Sequence, residues 1–175
     1  MTILVGYATR EGQSRKIARW VADRISARGE SVELLSLADT EGLELERFQG
    51  AVLVASVHAG AYPAALGAFL DGHADALRAC PALFLSVSLA AAGHDADDWK
   101  GLAEIVTDLR DATGWTPQRV EHIAGAYKPS HYDLVTRFIM RRIIAEKDPK
   151  ADLATDHDYT DWGALGAIVD IWPAG

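Results

Sequence analysis

Five times along the chain a short apolar run gives way to a longer amphipathic stretch, and this alternation restricts the fold more than any other feature. Residues 2–7 read as a buried strand. Residues 14–28 then space Ile17, Ala18, Val21, Ala22 and Ile25 three and four apart, with Arg15, Lys16, Arg19, Asp23 and Arg24 elsewhere, which predicts a helix with one apolar face. Gly29 suits the position just past its end. Further strands are expected at 31–37, 50–56, 82–88 and 119–126. Pro63 opens a helix through about residue 77, since proline is tolerated in a first turn. Trp99, Leu102, Ala103, Ile105, Val106 and Leu109 form the apolar side of a helix that stops before Gly114. In the helix expected at 133–146, Leu134, Val135, Phe138, Ile139 and Ile143 are expected inward. Asp161 is placed to cap a last helix carrying Trp162, Leu165, Ile168, Val169 and Trp172.

Strands that are continuous apolar runs, each followed by a helix, predict a parallel sheet covered on both faces. Right-handed crossovers reduce the candidates to α/β doubly wound sheets of Rossmann or flavodoxin type. Five strands favour the flavodoxin order 2-1-3-4-5. With 175 residues and neither linker nor repeat, the expectation is one domain over 1–175.

Ligands of such sheets sit beyond the carboxyl ends of the strands, where strands 1 and 3 part. The first loop there is Thr9-Arg10-Glu11-Gly12-Gln13-Ser14. Hydroxyls at Thr9 and Ser14 flank a glycine, and the N–H groups of Gly12, Gln13 and Ser14 open a helix whose N-terminus favours a phosphate. The loop lacks the lysine of a P-loop and the paired glycines of a dinucleotide fingerprint. It fits a monophosphate such as that of FMN, or a plain strand-to-helix turn. The second loop holds Ser56, Val57, His58, Ala59, Gly60 and Tyr62, small residues that let backbone approach a flat ring, with His58 or Tyr62 able to lie along it. The third, with Ser88, Leu89 and Ala90, is small and uncharged and suits the other ring face.

The stretch Tyr-Ala-Thr-Arg-Glu-Gly-Gln-Ser-Arg-Lys-Ile-Ala at 7–18 resembles the phosphate loop of the bacterial menaquinone-dependent protoporphyrinogen oxidases, a branch of the flavodoxin superfamily. The blocks at 55–62, 84–89 and 123–127, Tyr132, Arg137, Phe138 and Met140, and Tyr-Thr-Asp-Trp at 159–162 are similar to that branch and run in its order. The resemblance implies FMN as cofactor and oxidation of protoporphyrinogen IX, with electrons passed to a quinone. Carried over by position, Thr9, Arg10, Gly12, Gln13 and Ser14 would hold the phosphate, and 56–62 with 88–90 the ring. Chemistry at the flavin N5 requires no side-chain nucleophile, so no catalytic residue is expected. At 94–112 the chain departs from the family's lysine- and arginine-rich pattern, carrying a net charge of −4. An acidic rim there would repel a dicarboxylate substrate and an anionic membrane.

Charge and cysteine usage narrow the partners. The net charge of −8 argues against nucleic acid, which demands a basic face. Residues 128–150 nonetheless sum to +3, leaving −11 on the rest. A solvated helix face and a docking surface both fit that segment. The single Cys80 excludes an internal disulfide, and His73, His94, His122, His131 and His157 lack metal-ligand spacing, so no metal site is expected. A cytoplasmic setting with at most peripheral contact with the inner membrane face follows. The main alternative to an enzyme is an FMN electron carrier between redox proteins, which an acidic surface also suits. A flavin-free domain of the same fold is the third reading. Nothing in the pattern specifies an oligomeric state.

Overall fold

The computed structural model describes residues 1–172. Its centre is a five-stranded parallel sheet, β1 (Thr2–Ala8), β2 (Ser31–Ser36), β3 (Gly50–Ser56), β4 (Ala82–Ser88) and β5 (Arg119–Ala124), in the spatial order 2-1-3-4-5. The flavodoxin-type order expected from five strands is therefore the one observed. Every side chain of β3 and β4 is buried, as strands covered on both faces require. The edge strands β2 and β5 are only half-buried, and their polar Glu33, Arg119 and Glu121 face the rim.

Successive side chains of each strand feed two different cores. Ile3, Val5, Val52, Val54, Leu83 and Leu85 pack against α1 (Gln13–Ser26) and α5 (Trp162–Asp170). Leu4, Leu53, Ala55 and Phe84 pack on the other face against α2 (Ala64–Arg78) and α3 (Ala96–Thr113). Pro63 is the N-cap of α2 rather than its first residue. Asp95 starts α3 earlier than the apolar pattern suggests, accepting N–H bonds from Asp97 and Asp98. Gly114 ends α3 in the left-handed conformation (φ 69°). Asp161 caps α5 by accepting from the Ala164 N–H at 2.9 Å.

The strand expected at 119–126 breaks at Gly125. Ala126–Tyr127 forms a separate strand, β6, antiparallel to β7 (His157–Asp158). Between them runs α4 (Leu134–Lys147), and this segment makes a small lobe around Tyr127, Tyr132 and Ile144.

Here the inward face expected for the fourth long helix is corrected. Leu134, Val135, Phe138 and Ile139 are exposed, whereas Ile144 is buried and Ile143 half-buried. The reason is topological: α1 with α5 and α2 with α3 already cover both sheet faces, so α4 packs beyond the strand ends through its other side. In α3, likewise, Ala103 is exposed and Trp99 is 37% exposed, its indole N–H donating to the Gly93 carbonyl at 2.9 Å.

Candidate functional site

Register brings three loops together. Ala8 pairs with Ala55, Ser56 with Val87, and Ser88 with Ala124, so β1, β3 and β4 end side by side. A cavity of about 840 Å³ opens there. It lies between these loops, the start of α3 and the inner side of α4. Its size is in the usual range for a small-molecule or cofactor site.

The loop after β1 is shaped by Gly12 at φ 89°, a conformation that favours glycine. Its N–H donates to Thr9 Oγ1 at 2.9 Å, which curls the loop back before α1 begins. Asp side chains cap α3, α4 and α5, yet no side chain caps α1. The N–H groups of its first turn thus keep their capacity for an anion. Ser14 Oγ and Gln13 Oε1 beside them, and Ser56 Oγ on β3, are buried with no hydrogen-bond partner among the described residues. Buried polar atoms without partners are costly, so orphans grouped at a cavity fit a phosphorylated ligand that would satisfy them. Arg10 is exposed on the outer turn.

Gln13 is also anchored from far away. Its Nε2 donates to Asp158 Oδ1 and to Thr160 Oγ1, both at 3.0 Å. Lys16 Nζ donates to the other oxygen of Asp158 at 2.8 Å. Burial raises the Asp158 carboxyl, but the bonds from Lys16 and Thr160 outweigh it and hold the group below its ordinary value. Lys128 Nζ donates to the Glu11 carbonyl at 3.2 Å, so the loop after β1 acquires a neighbouring cation from 117 residues away.

The second loop is a tight turn. His58 and Ala61 exchange backbone bonds of 2.8 and 3.1 Å across Ala59 (φ 50°) and Gly60 (φ 76°). Ala59 is a non-glycine residue in left-handed conformation at the rim of the cavity, a place where strain is stored only when the surroundings enforce it. His58 Nδ1 lies 3.5 Å from Glu11 Oε1, linking the first two loops. The third loop turns through a bond from the Ala91 N–H to Ser88 Oγ at 3.2 Å.

Of the fifteen residues expected from the sequence, Glu11, Gln13, Ser56, Val57, His58, Ala59, Gly60, Ser88, Leu89 and Ala90 line this cavity. Thr9, Gly12 and Ser14 shape the loop behind it. Tyr62 points elsewhere: its hydroxyl is 2.8 Å from Ser86 Oγ and its ring meets the edge of Phe84. Burial pushes the Tyr62 phenol up to about 12, partly offset by the Ser86 bond.

Sequence reasoning assigned no site role to the far wall, built by Gly125, Ala126, Tyr132, Met140, Ile143 and Lys147. A Cβ at Gly125 would come within 3.2 Å of Val87 Cγ1, so a side chain here would press the wall a few tenths of an ångström away from β4. Tyr132 is buried, its hydroxyl accepting from the Lys128 N–H at 3.2 Å. Lys147 pairs with Asp98, so the basic segment and the acidic segment meet across the mouth of the cavity. The opposite charges of 94–112 and 128–150 were the available signal. Among the described residues, no group of three or more His, Cys, Asp or Glu is placed to hold a metal ion.

Residues 4–153 match the family model described as "Flavodoxin domain". The chain belongs to the flavodoxin domain family. Flavodoxin domains are FMN-binding domains, and FMN is the cofactor of this one. The orphaned oxygens and uncapped helix described above fit its phosphate. The chain is 28% identical over 162 residues to the protoporphyrinogen IX dehydrogenase [quinone] of Escherichia coli K12, covering 93% of this chain and 89% of that one. It is 28% identical over 167 residues to the protein of the same name from Leishmania major, covering 93% and 70%. Its fold is that of solved flavodoxins. A short-chain flavodoxin associated with a PDU bacterial microcompartment superimposes with a TM-score of 0.55, at 17% identity, over 81% of this chain and 93% of that one. A flavodoxin mutant from Pseudomonas aeruginosa gives 0.54, at 17% identity, over 83% and 95%.

Proposed function

We propose that this flavodoxin is an FMN-dependent oxidoreductase that withdraws electrons from protoporphyrinogen IX, or a similar reduced tetrapyrrole, and passes them to a quinone. In this reading Thr9, Arg10, Gly12, Gln13 and Ser14 hold the phosphate, with Lys128 as a neighbouring cation. The ring lies between 56–60 and 88–90. Bound FMN would supply a two-electron acceptor at its N5, which is the chemistry such an oxidation needs. The chain's own contribution is to position and to exclude water: Leu89, Met140 and Ile143 give the cavity apolar surface on the side where substrate would enter.

The observation that carries this reading is the extra lobe. Residues 126–159 extend the cavity past the loops that grip FMN, and the relatives named as dehydrogenases align over 93% of the chain. The acidic rim is less adverse than the sequence implied, because Asp98 is paired with Lys147 and Asp95 caps α3. The second reading, an electron carrier docking through acidic residues, draws support from Asp97 at the cavity mouth. No described helix is long and apolar enough to cross a membrane, and the reading places the protein in the cytoplasm.

The deciding experiment has two steps. Purified protein is expected to be yellow, with near-UV and blue absorption; a colourless protein that takes up no FMN would end both readings. Anaerobic protoporphyrinogen IX with a soluble quinone is then expected to turn over. A rate no greater than spontaneous oxidation would leave the carrier.

A further inference from the structure

In the proposed reaction protons leave the substrate as well as electrons. A two-electron step breaks a C–H bond at a meso carbon, the electron pair leaving with the hydrogen as hydride to FMN. A C=C bond then forms from that carbon to the pyrrole ring, and the ring N–H proton departs, leaving its electron pair on nitrogen. Away from bulk water this proton needs an acceptor within hydrogen-bond reach. His58 and Glu11 stand together on the cavity wall, brought from the loops after β3 and β1. His58 Nδ1 lies 3.5 Å from Glu11 Oε1, and the two side chains are only 19% and 22% exposed. Glu11 is itself held, because Lys128 Nζ donates to its carbonyl at 3.2 Å. A proton on His58 Nδ1 faces the carboxylate, which leaves the Nε2 lone pair without a partner among the described residues. A carboxylate behind a histidine fixes its tautomer and stabilises the imidazolium once a proton arrives.

The other titratable groups of the cavity are committed or exposed. Asp95 accepts from the Asp97 and Asp98 N–H groups, and Asp98 pairs with Lys147. The Tyr132 hydroxyl accepts from the Lys128 N–H, and burial pushes its phenol up to about 12. His94, Asp97 and Glu146 are exposed, where they offer little that water does not. We infer that His58 is the catalytic base of this oxidation, accepting the pyrrole N–H proton at Nε2, and that Glu11 positions it. The inference rests on the proposed reaction. It adds a side-chain role where the sequence pattern showed none, because His58 and Glu11 belong to different loops and meet only once β1 and β3 pair. His58 is exposed enough to pass each proton on to water, which frees the base for the next two-electron step.

Single-turnover mixing of the FMN-loaded protein with protoporphyrinogen IX, without oxygen or quinone, tests the inference through the loss of blue absorption. Wild type is expected to slow as pH falls and His58 takes up a proton. H58Q, compared at full FMN occupancy, is expected to react at least about 100-fold more slowly and to lose that acid limb. Added imidazole should restore part of the rate to H58A. Nitrogen NMR of the histidines reads the pair without turnover. His58 is expected as the Nδ1–H tautomer in wild type and as a mixture of tautomers in E11Q, whose rate should fall as well. An undiminished H58Q rate, an acid limb that survives in H58Q, or an Nε2–H tautomer in wild type would each overturn the inference and leave the proposed function standing. Should the His58 variants fail to hold FMN, the tautomers of wild type and E11Q decide. No reduction of wild type by protoporphyrinogen IX at any pH would end the proposed function and this inference with it.

Discussion

Gln13 and Thr160 stand 147 residues apart in the chain, yet Gln13 Nε2 donates to Thr160 Oγ1 at 3.0 Å in a buried contact. Thr160 in turn donates to the Ala124 carbonyl at 2.6 Å, at the end of β5. One threonine hydroxyl therefore joins the loop after β1, the last strand of the sheet and the turn before α5. The Tyr-Thr-Asp-Trp block thus supports the loop after β1 from behind.

Thr160→Val removes both bonds while keeping shape. Leaving the Ala124 carbonyl and the Gln13 amide short of partners is expected to cost about 1–3 kcal/mol of stability. FMN affinity should fall with it, and Thr160→Ser should restore most of both. Urea unfolding and FMN titration check this.

Asp158 gives the same junction a pH dependence. Its folded pKa is depressed, so its contribution is complete above the unfolded value of about 3.9 and is lost as pH falls through the lower folded value. Melting temperature of the FMN-loaded protein should drop more steeply in that acid range for wild type than for Asp158→Asn. Parallel curves for the two proteins would show that Asp158 contributes nothing there.

The turn at Ala59 and Gly60 separates two backbone effects. Gly60 sits at φ 76° with open space around its Cα, so Gly60→Val meets backbone strain rather than a clash. A loss of about 1–2 kcal/mol is expected. Ala59→Gly relieves strain at φ 50° but frees the unfolded chain, and the two should nearly cancel. Thermal unfolding of the two variants side by side measures both.

Lys147 and Asp98 hold α4 to α3 over the cavity mouth. Their side chains are 16% and 38% exposed, so screening limits the pair to about 0.5–1 kcal/mol of coupling. A double-mutant cycle of Lys147→Met and Asp98→Asn on stability should return that value. A coupling indistinguishable from zero would mean the two helices are held by packing alone.

Much of this molecule was legible from short-range pattern. Ile17, Ala18, Val21, Ala22 and Ile25 are all buried on α1, as their spacing requires. Gly12 and Gly114 mark turns and ends through left-handed conformations that glycine favours, and Asp161 through a cap made within its own first turn. The cavity loops were locatable because ligands of a doubly wound sheet gather at the strand ends, and ten of the fifteen expected residues do line the cavity.

Helical periodicity, by contrast, says that α4 has an apolar stripe and not what the stripe faces. Leu134 and Ile17 both recur at helical spacing with apolar neighbours, yet one is 81% exposed and the other fully buried. The difference is that a five-stranded sheet has only two faces, and four helices already fill them. Pairings across 117 and 147 residues, which bring Lys128 and Thr160 to the loop after β1, likewise leave no mark in local spacing. The sequence by itself determined the sheet, its helices and the loops that end it. Which charges meet across the cavity, and which apolar face is left over, was decided only when the chain closed on itself.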